Sequence, residues 1–309
     1  MARVTRDFLS VDDLDSTELT ALLDLSTKVK ASPGEYRDRL RDVSVALIFE
    51  KPSTRTRVSF EVAVASLGGY PLALSSLDLQ LGRGESIEDT GRVLSRYVQA
   101  VVLRTFGQER LELLARAAEV PVVNALSDFE HPCQCLADLL TIREVRGTLA
   151  GLTFAYVGDG NNVAHSLLLG GAKCGMHMRV ATPLGFEPIP QVVQRAERIA
   201  EETGGTVAIL HEPAEAAKDA DVLYTDVWAS MGQEGEADER ALMFTNYRID
   251  QALVETAAED VVIMHCLPAH RGQEITDEVI DGPHSVVWDQ AENRLHSQKA
   301  LLLWLLDRT

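Results

Sequence analysis

The sequence predicts an α/β protein of two domains, each a parallel sheet flanked by helices. Short β-branched runs alternate with helical patterns along the whole chain, the signature of strand–helix–strand units. A length of 309 residues suits about two domains, and 46% hydrophobic content is enough to fill two ordinary cores. The stretch Arg146 to Gly151 carries two glycines, where a long helical pattern stops before a fresh strand, so the boundary is placed there.

The elements follow in order. After Ser16, Leu19, Leu22, Leu23 and Val29 recur at helical spacing with Glu18 in the first turn, which predicts a cover helix. Strands are expected at 43–49, 100–103 and 121–123, then at 153–157, 178–181, 206–210, 222–225, 261–264 and 286–288. A long helix is expected to open near His131, with Pro132 suited to its first position. Lys299 to Asp307 is apolar almost all round and must be buried, with the domain junction as one place for it.

Charge and cysteine usage narrow the class. A net charge of −18 opposes a phosphate-backbone partner, so nucleic acid is not expected. Six lysines stand against 23 arginines and 47 acids, a balance suited to solubility at high salt; full activity without added salt would count against that idea. Four cysteines, at 133, 135, 174 and 266, form no C-x-x-C pair, which points to a reducing compartment. No run of about 18 apolar residues occurs, and the N-terminus lacks an apolar signal core. The reading is a cytoplasmic protein with no membrane partner.

Ser53-Thr54-Arg55-Thr56-Arg57 falls where an apolar strand becomes a helix. Amide groups and the positive end of a helix favour an anion there, and hydroxyls and guanidiniums strengthen the attraction. A serine cap followed by surface arginines is the plainer explanation. Two arginines flanking Thr56 count against it, because the helix start repels cations unless an anion neutralises them.

Gly158-Asp-Gly-Asn-Asn162 follows the strand at 153–157. It resembles a dinucleotide turn, but Val163 occupies the third fingerprint position and the next strand ends at Ala181-Thr182 without an acid, so NAD is not expected. Asn161 and Asn162 suit the carboxylate of a small substrate; an Asx cap is the alternative for Asn161. Asp226, at the carboxyl end of the strand 222–225, is a candidate ammonium binder or simply a turn former. His265 and Cys266 are neighbours on an extended segment and point to opposite faces, which disfavours a nucleophile–base pair. The His131, Cys133, Cys135 and Cys174, His177 clusters lack structural-zinc spacing, so no metal is expected. His131 and Gln134, one helical turn apart, can face one ligand.

Together, Phe49 to Arg57, Gln80-Leu-Gly-Arg-Gly-Glu-Ser86, Arg104, His131-Pro-Cys-Gln134, Asp226-Val-Trp-Ala-Ser-Met-Gly232, His265-Cys-Leu-Pro268 and Asp289 to His296 resemble the ornithine carbamoyltransferases. The resemblance spans nearly the whole chain, with Cys133 a small departure. It implies the carbamoyltransferase fold: a carbamoyl-phosphate domain at 1–147, with a C-terminal helix 291–309 packing back on it, and an ornithine domain at 148–290. It implies a homotrimer, or a multiple of trimers, that uses carbamoyl phosphate and L-ornithine without a cofactor.

By the same resemblance, Ser53, Thr54, Arg55, Thr56 and Arg57 hold the phosphate, with Gln80 reaching it from a neighbouring subunit. Arg104, His131 and Thr56 polarise the carbamoyl oxygen, while Gln134 and the Cys266 and Leu267 carbonyls hold the carbamoyl nitrogen. Arg294 is expected to contact the carbamoyl group or the phosphate from the second domain. Asp226 and Cys266 anchor the δ-nitrogen of ornithine; Asn162, Ser230 and Met231 hold its α-carboxylate and α-amine. Transferases acting on putrescine, N-acetylornithine or aspartate, an NAD-dependent dehydrogenase, and a non-catalytic ligand sensor are the competing expectations.

Overall fold

The computed structural model describes residues 6–75, 84–229, 235 and 237–309. They form two compact units, residues 1–140 with 293–309 and residues 141–292.

In the first unit, β1 (Ser44–Phe49), β2 (Tyr70–Ser75), β3 (Ala100–Arg104) and β4 (Val122–Leu126) make a parallel sheet in the order β2-β1-β3-β4. Val45, Ala46, Leu47 and Ile48 are fully buried, as expected of a parallel strand covered on both faces. Around the sheet lie α1 (Ser16–Ala31), α2 (Thr54–Ser66), α3 (Ile87–Leu94), α4 (Gln108–Ala117) and α5 (Pro132–Arg146), the last running on into the second unit. Asp15 caps α1 and Glu18 returns the bond to the Asp15 amide, a reciprocal pair that closes the helix start. Leu19, Leu22, Leu23 and Val29 form its buried stripe.

The sequence gives no sign of β2, because Tyr70-Pro-Leu-Ala-Leu-Ser75 lacks β-branched residues and contains a proline. An edge position tolerates Pro71, since its missing N–H is needed by no further strand. The expected strand at 286–288 is also corrected. Ile263 donates to the His284 carbonyl and Val286 to that of Ile263, which gives a single bridge; the chain then enters α12 (Val287–Leu305), with Asp289 in its first turn. Within α12, Ala300, Leu301, Leu302 and Leu303 are fully buried, in keeping with the apolar reading of that segment.

Residues 7–14 form a strap beside β4. Phe8 bridges Val123 in parallel, Phe8 N donates to Val122 O at 2.9 Å, and Asn124 N donates to Phe8 O at 2.8 Å. The Asp7 carboxylate accepts from Val122 N at 2.8 Å, yet burial, opposed by that bond and aided by Asp13, pushes its pKa up to about 6. A carboxyl whose folded pKa lies above its unfolded value favours folding most below the unfolded value, and that contribution is lost as pH rises through about 6. Asp7→Asn keeps an acceptor for Val122 and removes the charge. It is expected to stabilise the chain at pH 8 by about 1–2 kcal/mol, allowing for partial exposure, and to leave it nearly unchanged at pH 4. Thermal melts of both proteins at the two pH values check this.

The second unit holds β5 (Thr153–Val157), β6 (His177–Ala181), β7 (Thr206–Leu210), β8 (Val222–Thr225) and β9 (Val262–His265). All are parallel, in the order β7-β6-β5-β8-β9. The chain reverses its winding between β5 and β8, and such switch points open a crevice at the carboxyl ends of the strands. Its helices include α6 (Asn162–Lys173), α7 (Pro190–Thr203), α8 (Pro213–Ala217), α9 (Ala237–Met243), α10 (Gln251–Val254) and α11 (Asp277–Ile280). Among the described residues no helix is long and apolar enough to cross a membrane.

Candidate active site

The first unit gathers cations at the carboxyl ends of β1, β3 and β4. Ser53 is the cap of α2 and its hydroxyl accepts from Thr56 N at 3.3 Å. No acid stands in the first turn of α2, so the positive helix end keeps its pull on an anion. Thr56 is buried, and its hydroxyl accepts from Arg294 Nη2 at 2.8 Å. Arg294 therefore belongs to the first unit, in line with a C-terminal helix returning to that domain, and its contact does not come from the second unit: α12 runs back into the first from Asn293 onward. Lys51, itself buried, pairs with Asp128 and lies 4.5 Å from the Phe106 ring centre, which pins the approach to the Ser53 turn.

His131 is buried in this cationic field. Desolvation first, then Arg294, Arg104 and Arg55, hold its pKa well below the usual histidine range, so the imidazole is neutral. A neutral ring can offer one N–H to a carbonyl oxygen without adding a full charge. His131 is accordingly expected to stay neutral through the range in which an ordinary histidine titrates. The stability that its neutral form confers is present above the unfolded value and is lost only as pH falls through the lowered one. Histidine NMR, with the signal assigned through its loss in His131→Asn, checks this; a midpoint near the ordinary 6.5 would be the contrary result.

Gln134 is buried one turn into α5. Its Nε2 donates to Asp138 Oδ1 at 2.8 Å, which fixes the amide, and its Oε1 meets no donor among the described residues. A buried acceptor left open suits a ligand N–H. Arg57 lies apart from this group: its side chain is 53% exposed and its Nε pairs with Glu61 at 3.0 Å. Gln80 lies outside the described residues.

The second unit gathers a different set at the ends of β5, β8 and β9. Asp226 is buried; its Oδ1 accepts from Cys266 Sγ and its Oδ2 from Asn161 Nδ2, both at 2.9 Å. Asn161 also caps α6 through Val163 N at 2.9 Å and Ala164 N at 3.2 Å, so it serves both as the Asx cap and as a partner of the carboxylate. Asn162 begins α6 beside it. Tyr156, which sequence reasoning missed as a core strand residue, is kept protonated first by burial and then by Asp226, Asp159 and Cys266. Asp159 is held by Arg240 Nη1 at 2.9 Å, and the same nitrogen donates to Trp228 O at 3.0 Å. Ser230 and Met231 lie outside the described residues.

The ligating atoms of Asp226, His265 and Cys266 lie within 4.8 Å of one another. Their hydrogen bonds define a polar cluster. His265 Nδ1 accepts from Leu267 N at 2.8 Å, His265 Nε2 faces Glu274 Oε1 at 3.1 Å, and the Cys266 thiol turns to Asp226. A metal would have to displace Glu274 or the Leu267 amide from the ring. The Leu267 bond also holds that residue at φ 57°, a conformation costly for a bulky side chain, which aims the Cys266–Leu267 backbone.

A buried cationic site on one parallel sheet and a buried carboxylate–thiol site on another define an α/β enzyme of group transfer between small polar substrates. Residues 6–144 match the carbamoyl-phosphate-binding domain of the aspartate/ornithine carbamoyltransferases, and residues 150–305 match their aspartate/ornithine-binding domain. The chain is 62% identical over 307 residues to an ornithine carbamoyltransferase of Parafrankia sp. (strain EAN1pec), covering 98% of this chain and 97% of the relative. It is 55% identical over 299 residues to an anabolic ornithine carbamoyltransferase of Pyrococcus furiosus, covering 96% and 95%. Two solved structures agree with this. The ornithine carbamoyltransferase of Pyrococcus furiosus superposes with TM-score 0.94 at 54% identity, over 98% of this chain and 97% of that one. The anabolic enzyme of Campylobacter jejuni gives 0.93 at 38% identity, over 98% and 100%. The chain belongs to the aspartate/ornithine carbamoyltransferase family.

Proposed function

We propose that this chain transfers the carbamoyl group of carbamoyl phosphate to the δ-amine of L-ornithine, giving L-citrulline and phosphate, in the direction of arginine biosynthesis. The observation that carries the choice of acceptor is buried Asp226, with Cys266 and Asn161 on its two oxygens. A desolvated carboxylate attracts an ammonium and repels a second carboxylate, which favours ornithine over aspartate. The anabolic relatives support the biosynthetic direction.

Ser53, Thr54, Arg55, Thr56 and Arg57, with Arg294, hold the phosphate; Gln80 joins them from a neighbouring copy. Arg104 and neutral His131 donate to the carbamoyl oxygen, and Gln134 Oε1 accepts from the carbamoyl N–H. Asp226 and Cys266 receive the δ-nitrogen, while Asn162, Ser230 and Met231 hold the amino-acid end. The δ-ammonium loses a proton, its lone pair attacks the carbamoyl carbon, and the C=O electrons move onto oxygen. Collapse of that tetrahedral species breaks the C–O bond to phosphate, which leaves with the bonding pair and takes up the second proton shed by the attacking nitrogen, the first having gone to solvent. No side chain is acylated; bringing two reactants into attack geometry supplies up to about 7–11 kcal/mol of the barrier, and donors on the developing oxyanion supply more.

A cytoplasmic homotrimer is part of the same reading. Val58 and Val62, exposed one turn apart on α2, support an interface there, and four cysteines without a C-x-x-C pair support a reducing setting. The test is phosphate release from carbamoyl phosphate, with the N-carbamoyl product identified, when ornithine, putrescine, N-acetylornithine and aspartate are offered singly. Turnover with ornithine alone supports the proposal; preference for any other amine overturns it.

A further inference from the structure

The N-terminal strap reaches the catalytic turn of the first unit by two routes. By the first, Ser10 Oγ donates to Glu130 Oε1 at 2.5 Å and Val11 N donates to Glu130 Oε2 at 3.0 Å. Glu130 is fully buried and immediately precedes His131. By the second, the Leu9 carbonyl accepts from Asn124 Nδ2 at 2.9 Å and Gln108 Nε2 at 3.3 Å; Gln108 Oε1 in turn accepts from Ser127 Oγ at 2.6 Å. Ser127 closes the turn on itself, since its hydroxyl accepts from Glu130 N at 3.1 Å and its amide donates to Glu130 O at 2.9 Å. The far side of the same turn is the start of α5, where Gln134 N and Cys135 N both donate to His131 O.

The strap is itself a made structure. Asp13 Oδ2 accepts from Leu9 N at 2.6 Å and Ser10 N at 2.9 Å, and Phe8, Val11 and Leu14 are fully buried. A carboxyl group with no exposure is costly to leave without donors, so the Ser10 and Val11 bonds fix where Glu130 can lie. Fixing both the side chain and the backbone of residue 130 leaves the following residue little freedom. An imidazole that must point one N–H at a small carbonyl needs that restriction, because a displacement of about 1 Å there costs up to about 100-fold in rate.

We propose that Glu130 is a positioning residue for His131, clasped by the strap through Ser10 and Val11. The proposal rests on His131 polarising the carbamoyl oxygen, as argued above.

Four full-length proteins test it: the native chain, Glu130→Ala, Glu130→Gln and Ser10→Ala. Glu130→Ala is expected to lower kcat about 10-fold or more at a temperature well below its melting point, with the affinity for inorganic phosphate unchanged. Glu130→Gln keeps an oxygen for Val11 N and an amide that can donate to Ser10 Oγ, so most of the rate returns. Ser10→Ala gives an intermediate loss. The His131 ring signal, followed by histidine NMR without any turnover, moves in Glu130→Ala and Ser10→Ala and returns in Glu130→Gln. A lowered melting temperature with native kcat and an unmoved ring signal overturns the proposal. If Glu130→Ala does not fold, native kcat and ring signal in Ser10→Ala have the same force. Absence of citrulline formation by the native chain would defeat the proposed function instead, and the ring signal alone would then decide the clasp.

Discussion

Asp226→Asn is expected to fold normally, to bind phosphate as the native chain does, and to lose about 100- to 1,000-fold in kcat/KM for ornithine. The geometry dictates how the new amide settles. Asn161 uses its oxygen to cap α6 and offers Nδ2, so residue 226 must keep an acceptor toward it. The nitrogen of the introduced amide then faces Cys266 Sγ, a weak acceptor in place of a donor. Shape is conserved while the anionic partner proposed for an incoming ammonium is gone, a loss of about 3–4 kcal/mol, within what removing one partner of a desolvated pair costs. Steady-state kinetics with ornithine varied, and phosphate binding measured separately, decide the matter. Normal ornithine saturation and rate would remove Asp226 from the site.

Asp226 also shows what can be read from a sequence. Its place after a β-branched run put it at the carboxyl end of a strand, and that is where β8 delivers it. The strands that were legible, β1 and β3 through β9, are mostly rich in Val, Ile, Leu and Thr, and all but the edge strand β7 are largely buried in parallel pairing, where composition and environment agree. Strand β2 was not legible because an edge position permits proline, and 286–288 failed as a strand because the β-branched Val286-Val287 pair has only the isolated bridge at Ser285 before it and α12 starts at Val287. Pairings distant in sequence were beyond local pattern altogether. Nothing near residue 10 or residue 130 announces that Ser10 and Glu130 meet, and nothing around Arg294 announces that its guanidinium lies on Thr56. The orientation of Gln134 likewise depends on Asp138, which helical spacing permits but does not require.

Arg57→Ala is expected to remove nearly all turnover, on the order of 100- to 1,000-fold in kcat, even though Arg57 is half exposed and turned toward Glu61. The Glu61 pair is no obstacle. An exposed pair of this spacing on a helix contributes only about 0.3–0.5 kcal/mol, whereas a guanidinium on a phosphate makes charge-assisted and often bidentate bonds roughly twice as strong as neutral ones. The side chain therefore exchanges Glu61 for phosphate at little cost. A cation this near the start of α2, with no acid in the first turn, is disfavoured by about 0.3–1 kcal/mol until an anion arrives, so the helix itself favours the exchange. Glu61→Gln separates the two explanations for such a residue. If Arg57 serves the leaving group, Glu61→Gln keeps or slightly raises the rate while Arg57→Ala abolishes it, and Arg57→Lys restores only part because the planar fork is lost. If Arg57 merely offsets Glu61 on the surface, both single variants behave alike and phosphate departure falls to Arg55 and Arg294, which with Arg104 already act on His131.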